Sequence, residues 1–317
     1  MGGSHEMVDV QESVREVASG LRFPEGPVAL DDGSVLLVEI VRGTLDRVWP
    51  DGSVDIVAEL GGGPNGAALG PDGKVYVCNN GGCFDWEERF GLTVPGTPHP
   101  PDWQGGSIQR VDLDTGAVET LYTESSSGPL RAPNDLVFDG DGGFWFTDHG
   151  VIAERTADRT GVHYAKADGS ACTEVLFPLD APNGIGLSPD GSTLYVAETY
   201  RGRVWAWEVT APGQVALPAE VPAPGGRLLC GLPGMQLLDS LAVDGEGWVC
   251  VGTLINGGIT AISPDGERVE HTPLPDPLVT NICFGGDGLR TAYVTLSGTG
   301  KLVALDWPRP GLRLAHS

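Results

Sequence analysis

The sequence predicts an all-β fold: a six-bladed β-propeller with four antiparallel strands per blade. Three observations predict it. A strand–turn–strand unit recurs six times, glycine and proline are scattered evenly along the chain, and helical periodicity is almost absent. Of 317 residues, 48 are Gly and 25 are Pro, which implies many turns and therefore many short strands. A hydrophobic content of 40% with 20% charged residues allows a packed core.

The repeated unit opens on a polar or acidic anchor and turns at an acidic residue seven positions later. The first copy, FPEGPVALDDGSVLLVE, pairs Glu25 with Asp32. The second, GPNGAALGPDGKVYVCN, pairs Asn65 with Asp72, and the third, APNDLVFDGDGGFWFTD, pairs Asn134 with Asp141. APNGIGLSPDGSTLYVAE pairs Asn183 with Asp190, and LLDSLAVDGEGWVCVGT pairs Asp239 with Glu246. The last, LVTNICFGGDGLRTAYVT, pairs Thr280 with Asp287. In each copy the glycine after the acid supplies the positive φ that a tight hairpin needs, and Val, Leu, Tyr, Phe and Trp fill the flanking strands. Further strand-like segments lie between the copies, such as GTLDRVWPDGSVDIVAEL and GVHYAKADGSACTEVLFPL, and bring each unit to four strands. A constant offset in six copies disfavours a sandwich with accidental turns. One ring is expected over residues 15–317, with an insertion at 81–106 and no second domain. Residues 1–14 hold MGGSHEM, which reads as an appended leader with Met7 as a native start, and are set aside as an extension.

The formal net charge of −24 argues against a nucleic-acid partner, whose phosphates would be repelled, and suits both solubility and attraction of cations. The six cysteines, Cys78, Cys83, Cys172, Cys230, Cys250 and Cys283, form no CxxC pair and read as reduced, buried residues of a cytoplasmic protein. No apolar run approaches the length of a membrane span, and no signal-peptide core is present. The pattern of a serine-hydrolase elbow, GxSxG, and the zinc motif HExxH are both absent. DGDGG at 139–143 imitates an EF-hand loop but lacks its closing glutamate, so it is read as a hairpin turn.

In a propeller the first strand of each blade lines the central channel, so the six anchors should form a ring: Glu25, Asn65, Asn134, Asn183, Asp239 and Thr280. Such a set offers only hard oxygens, which suits Ca, Mg or Mn better than a structural Zn. Hydrogen-bonded strand starts around channel water explain the same residues, and both readings stand at this point. A second set, at the ends of the returning strands, comprises Glu39, Asn79 with Asn80, Asp148, Glu198 with Thr199, Thr253 and Thr295. These are expected to support the ring, to contact substrate, or simply to be solvated. The insertion GGCFDWEERFGLTVPGTPHPPDWQGG carries Trp86, Phe90, His99 and Trp103 and should emerge on the anchor face, as a lid or as a loop packed on the rim.

Taken together, FPEGPV, PNGAALGPDGKVYVCNNGG, RAPNDLVFDGDGGFWFTD, PNGIGLSPDGSTLYVAET and LDSLAVDGEG resemble the gluconolactonase/senescence marker protein (regucalcin) family over nearly the whole chain. The resemblance implies a six-bladed propeller with one catalytic divalent ion, usually Ca, with Mg, Mn, Zn or Fe as alternatives. It implies Glu25, Asn134, Asn183 and Asp239 as metal ligands. Family members with R-x-N-D use the Arg on substrate; here Arg131 lies one residue farther away, in RAPND. The fifth-blade P-D-G of the family is LDS here, with Ser240 in place of the glycine. The implied activity is metal-assisted opening of a small lactone, with Asp239 as general base or as nucleophile. Asn65, Asn79, Arg131, Asp148, Glu198, Trp86 and Trp103 are the expected substrate contacts. Two other readings are a phosphotriester or fluorophosphate hydrolase on the same ion and a calcium-binding propeller without catalysis.

Overall fold

The computed structural model describes residues 5–7, 14–98, 100 and 103–316, with backbone alone at 5–7, 97 and 98. It is a six-bladed β-propeller of four-stranded antiparallel blades. The innermost strands are Pro24–Ala29, Pro64–Leu69, Pro133–Phe138, Pro182–Leu187, Leu237–Val243 and Val279–Gly285. Each packs against the innermost strand of the next blade, and the sixth meets the first.

The second strands return from the acidic–glycine turns: Val35–Glu39, Val75–Asn79, Gly143–Asp148, Thr193–Glu198, Val249–Leu254 and Thr291–Leu296. The turn glycines Gly33, Gly73, Gly142, Gly191, Gly247 and Gly288 all have positive φ, between 60° and 83°, where a Cβ would be strained. The turn acids also cap their own turns. Asp32 Oδ1 accepts the Ser34 N–H at 3.0 Å, and Asp190 Oδ1 accepts that of Ser192 at 3.0 Å.

The core is six separate layers, one between each pair of neighbouring blades. Val28, Leu36, Val38 and Leu45 of the first blade meet Val75, Val77 and Val111 of the second. Tyr195, Val204 and Leu229 of the fourth meet Leu241, Val249 and Val251 of the fifth. Because both faces of a middle strand are covered, these strands read as continuous apolar runs rather than alternating ones.

The ring closes through its ends. Arg15–Ser19 pairs antiparallel with Lys301–Asp306 and completes the sixth blade as its outermost strand. Within the segment expected to lie outside the fold, His5–Met7 pairs in parallel with the outermost strand of the fifth blade, Val269–Pro273. An edge strand offers free backbone groups to any extended segment, so this pairing has no side-chain signature. Residues 1–4 and 8–13 of that leader, and His99 of the insertion, lie outside the described residues. After the last strand, Arg309 is buried against Asp244 (Nε to Oδ2, 2.6 Å) and Glu270 (Nη1 to Oε2, 2.9 Å), over the Trp248 ring. The tail that follows, Leu312–His316, covers the mouth on the turn side of the channel. No helix among the described residues is long and apolar enough to cross a membrane.

Candidate active site

Each innermost strand breaks register beside its anchor. In the first blade the shift lies between Glu25 and Val28, and in the next three between Pro64 and Ala67, Pro133 and Leu136, and Pro182 and Ile185. In the fifth and sixth it lies between Leu238 and Leu241, and between Val279 and Asn281. A bulge turns a side chain off the pleat, and six bulges at one level bring the anchors to the channel.

The anchors are buried and close together. Glu25 Oε2 accepts the Gly26 N–H and the Asn281 Nδ2–H, both at 2.8 Å. Asp239 Oδ1 accepts the Ser240 N–H at 3.1 Å. Asn183 donates Nδ2–H to Thr199 Oγ1 at 3.2 Å, which leaves its Oδ1 facing Ser240 Oγ at 3.4 Å, beside Asp239. Asn134 Oδ1 and Asn65 Oδ1 are buried with no hydrogen-bond partner among the described residues. Orphaned carbonyl oxygens are costly, and two in one ring require an explanation.

The acids disturb one another. Burial, with smaller opposing hydrogen bonds from Asn281 and Gly26, pushes Glu25 up to about 7. Burial first and the Glu25 charge second hold Asp239 well above the carboxylate range. The same two causes push Asp135 up to about 8. Three acids that each resist ionisation form a place that a positive charge would stabilise.

No group of three or more His, Cys, Asp or Glu poised for a metal occurs among the described residues. A cation here must therefore draw on carboxamide oxygens as well as acids. Glu25, Asp239, Asn183 Oδ1 and the orphaned Asn134 Oδ1 are the residues that would hold it. The all-oxygen character of this set fits a hard divalent ion.

Of the alternatives for the second set, the hydrogen bonds favour support of the ring. Glu39 takes the Arg22 N–H, and Asn79 Oδ1 takes those of Gly63 and Gly81, both at 2.9 Å. Asp148 takes the Arg131 and Ala132 N–H groups, each at 2.7 Å, and that of Gly150 at 3.0 Å. Glu198 takes the Asp180 N–H at 2.7 Å. In the register these residues face Pro24, Pro64, Pro133 and Pro182, one position before the anchors. They clasp the segment leading into each blade. The oxygens of Asn79 and Asp148 are taken by backbone amides, and those of Glu198 by the Asp180 N–H and by the Arg203 and Trp205 side chains.

The insertion forms a hairpin, Phe84–Arg89 with Leu92–Pro98, that reaches from the second blade over the first to the sixth. Trp86 packs on Phe23 with ring centroids 4.6 Å apart, and Thr93 donates its N–H to Gly298 O at 2.9 Å. Phe90 is fully exposed at its tip. Trp103 is tied by its indole N–H to Asn80 O at 2.8 Å, and the Arg131 guanidinium covers its ring at 4.6 Å. That face is closed to a substrate. Arg131 is further held by Asp158, Nε to Oδ2 at 2.8 Å.

Sequence reasoning passed over Asp135, Asn281, His149 and Tyr200. A signal for the first two was available. The position after the anchor is Gly26, Gly66 and Gly184 in three blades, where a Cβ would meet the next blade's backbone at 2.5–2.6 Å. In the other three blades Asp135, Ser240 and Asn281 carry polar side chains there, and all three are buried. A cavity of about 620 Å³ lies on the turn side, lined by Leu136, Ile185, Leu241 and Phe284 and capped by the tail. It contains none of the four expected ligands. Asp135 and Asn281 line its inner end, between it and the anchors.

Residues 23–298 match the family described as SMP-30/Gluconolactonase/LRE-like region. The chain belongs to this family. Among its relatives, a gluconolactonase of Zymomonas mobilis is 26% identical, over 92% of this chain and 81% of its own length. Among solved structures, a gluconolactonase of Xanthomonas campestris superposes with a TM-score of 0.71 at 23% identity, covering 93% of this chain and 89% of that one. A calcium-binding regucalcin of Agrobacterium tumefaciens gives 0.70 at 17% identity, covering 98% and 99%. At these identities the structural likeness speaks for the fold.

Proposed function

We propose that this SMP-30/gluconolactonase family member is a divalent-metal-dependent hydrolase of small lactones, with calcium as its ion. The observation that supports the reading is that Glu25 and Asp239 are buried where the charge of one acts on the other, with Asn183 Oδ1 at Ser240 and an Asn134 oxygen left without a hydrogen bond among the described residues. The Zymomonas mobilis relative, named a gluconolactonase, supports the choice of substrate class.

When bound, the ion supplies a positive charge that keeps Glu25 and Asp239 ionised and a Lewis acid for the lactone carbonyl. Asp239 is the general base. Its burial beside Glu25 makes its carboxylate a strong proton acceptor. It takes a proton from water as the water oxygen bonds to the carbonyl carbon, and returns that proton to the ring oxygen as the ring C–O bond breaks. Glu25 holds charge, and its orientation is set by Asn281. The neutral Asn134 and Asn183 complete the shell without cancelling the ion's electrophilicity.

A pH-indicator panel of lactones, run before and after chelation and again with calcium restored, tests this directly. Calcium-restored turnover supports it. Turnover indifferent to chelation removes the metal, and no turnover of any lactone removes the activity. A fluorophosphate in the same panel tests the second reading.

A further inference from the structure

His149 and Tyr200 are polar side chains beside the anchors that the mechanism does not use. His149 follows the clasp residue Asp148 and donates its backbone N–H to Ala132 O at 2.9 Å, two residues before Asn134. Tyr200 follows Thr199, whose hydroxyl accepts Asn183 Nδ2–H at 3.2 Å. The Thr199 carbonyl also accepts the Leu238 N–H, at 3.3 Å, one residue before Asp239. The His149 backbone is therefore tied two residues from Asn134, and Tyr200 follows the residue that links Asn183 to the segment entering Asp239. Their rings meet edge to face, 6.0 Å apart at 62°.

Both present a free polar atom. His149 Nδ1 lies 3.0 Å from Gly150 O, and a carbonyl only accepts, so Nδ1 carries the hydrogen and Nε2 carries a lone pair. Burial holds this imidazole below its usual range, so it is neutral at neutral pH. The Tyr200 ring is 48% exposed. Burial first and the Asp239 charge second raise its hydroxyl above the usual range. Neither Nε2 nor this hydroxyl has a hydrogen-bond partner among the described residues.

We propose that His149 and Tyr200 are the specificity-determining pair of the site, seating the hydroxyl groups of a polyhydroxylated lactone. The proposal rests on the lactonase reading above. An Nε2 lone pair accepts an O–H, whereas a carboxylate or sulfonate brings it no hydrogen. The tyrosine hydroxyl both donates and accepts, and the two ring faces offer an apolar surface to C–H groups. A neutral, hydroxyl-bearing substrate is therefore the class this pair selects.

The test compares δ-gluconolactone with δ-valerolactone, the same ring with and without hydroxyls. In Tyr200→Phe and His149→Leu the ratio of the two kcat/KM values should fall about tenfold or more, the loss expected for an unmade hydrogen bond to substrate. His149→Gln, which keeps an acceptor oxygen, should recover part of it. A ratio within about twofold of the parent in both variants overturns the proposal. If the parent opens neither lactone, the functional reading fails by itself. The pair is then judged by saturation-transfer NMR with the cyclic polyol anhydroglucitol. A signal in the parent that both variants lose supports the pair. No signal in the parent, or one that both variants keep, overturns it.

Discussion

Asn281 of the sixth blade donates its Nδ2–H to Glu25 Oε2 of the first blade at 2.8 Å. This bond crosses the seam where the ring closes, joining residues 256 positions apart in sequence. It ties an expected ligand to the integrity of the whole propeller. Replacing Asn281 by Leu removes the donor and leaves one Glu25 oxygen without it. Calcium affinity measured by calorimetry should drop about ten- to a hundred-fold, as for other residues that orient a ligand. Unchanged affinity would remove Asn281 from the support of the site.

The acids set a pH dependence whose sign is the reverse of the ordinary salt-bridged carboxylate. Glu25 sits at about 7 and Asp135 at about 8 in the folded chain, both raised chiefly by burial. A raised carboxylate binds more protons folded than unfolded, so stability is lost as pH rises from the unfolded pKa through the folded one. The metal-free protein should therefore melt at a lower temperature at about pH 8 than at about pH 5. Calcium should raise the melting temperature more at the higher pH, where it competes with fewer protons. An equal shift at both would separate calcium from these acids.

Asn134 Oδ1 is buried without a partner among the described residues, which costs about 1–3 kcal/mol in a protein that holds no ion there. Asn134→Leu removes that polar group. Thermal melts should show the metal-free variant at least as stable as the metal-free parent, while the calcium-induced shift disappears. A variant that keeps the calcium shift would show that Asn134 is no ligand.

Asp148 holds three backbone N–H groups at the start of the third blade. Asp148→Ala leaves them unpaired in a buried place and should cost about 2–4 kcal/mol in denaturant unfolding. A cost below about 0.5 kcal/mol, the range of ordinary surface changes, would contradict the clasp.

The repeat made most of this architecture readable. An acidic–glycine turn seven residues after an anchor is a local signal, and the φ values of Gly33, Gly73 and Gly191 show why it must be glycine. The six anchors were readable as a ring for the same reason, while the choice of Glu25, Asn134, Asn183 and Asp239 among them came from the family resemblance. The roles of Asn79, Asp148 and Glu198 were not. Asp148 is held by backbone amides, which every residue owns and no side-chain pattern advertises, and Asn79 and Glu198 add side chains of the third strands, Gln109, Arg203 and Trp205, that lie outside the repeated motif. The path of the 81–106 hairpin depends on Trp86 meeting Phe23, a contact between distant segments. His149 and Tyr200 sit just outside the repeated motif, so no comparison between blades picks them out. The pairing of His5–Met7 rests on backbone alone.

The central claim is that Asp239 works as a base within an oxygen-ligated calcium site, and Asp239→Asn tests it most directly. The asparagine keeps size and one carbonyl oxygen but accepts no proton. With δ-gluconolactone and saturating calcium, kcat should fall about a hundred-fold or more, within the range for loss of a positioned general base. Calcium binding should weaken but remain measurable. A variant that hydrolyses the lactone at the parent's rate with calcium bound would contradict the account.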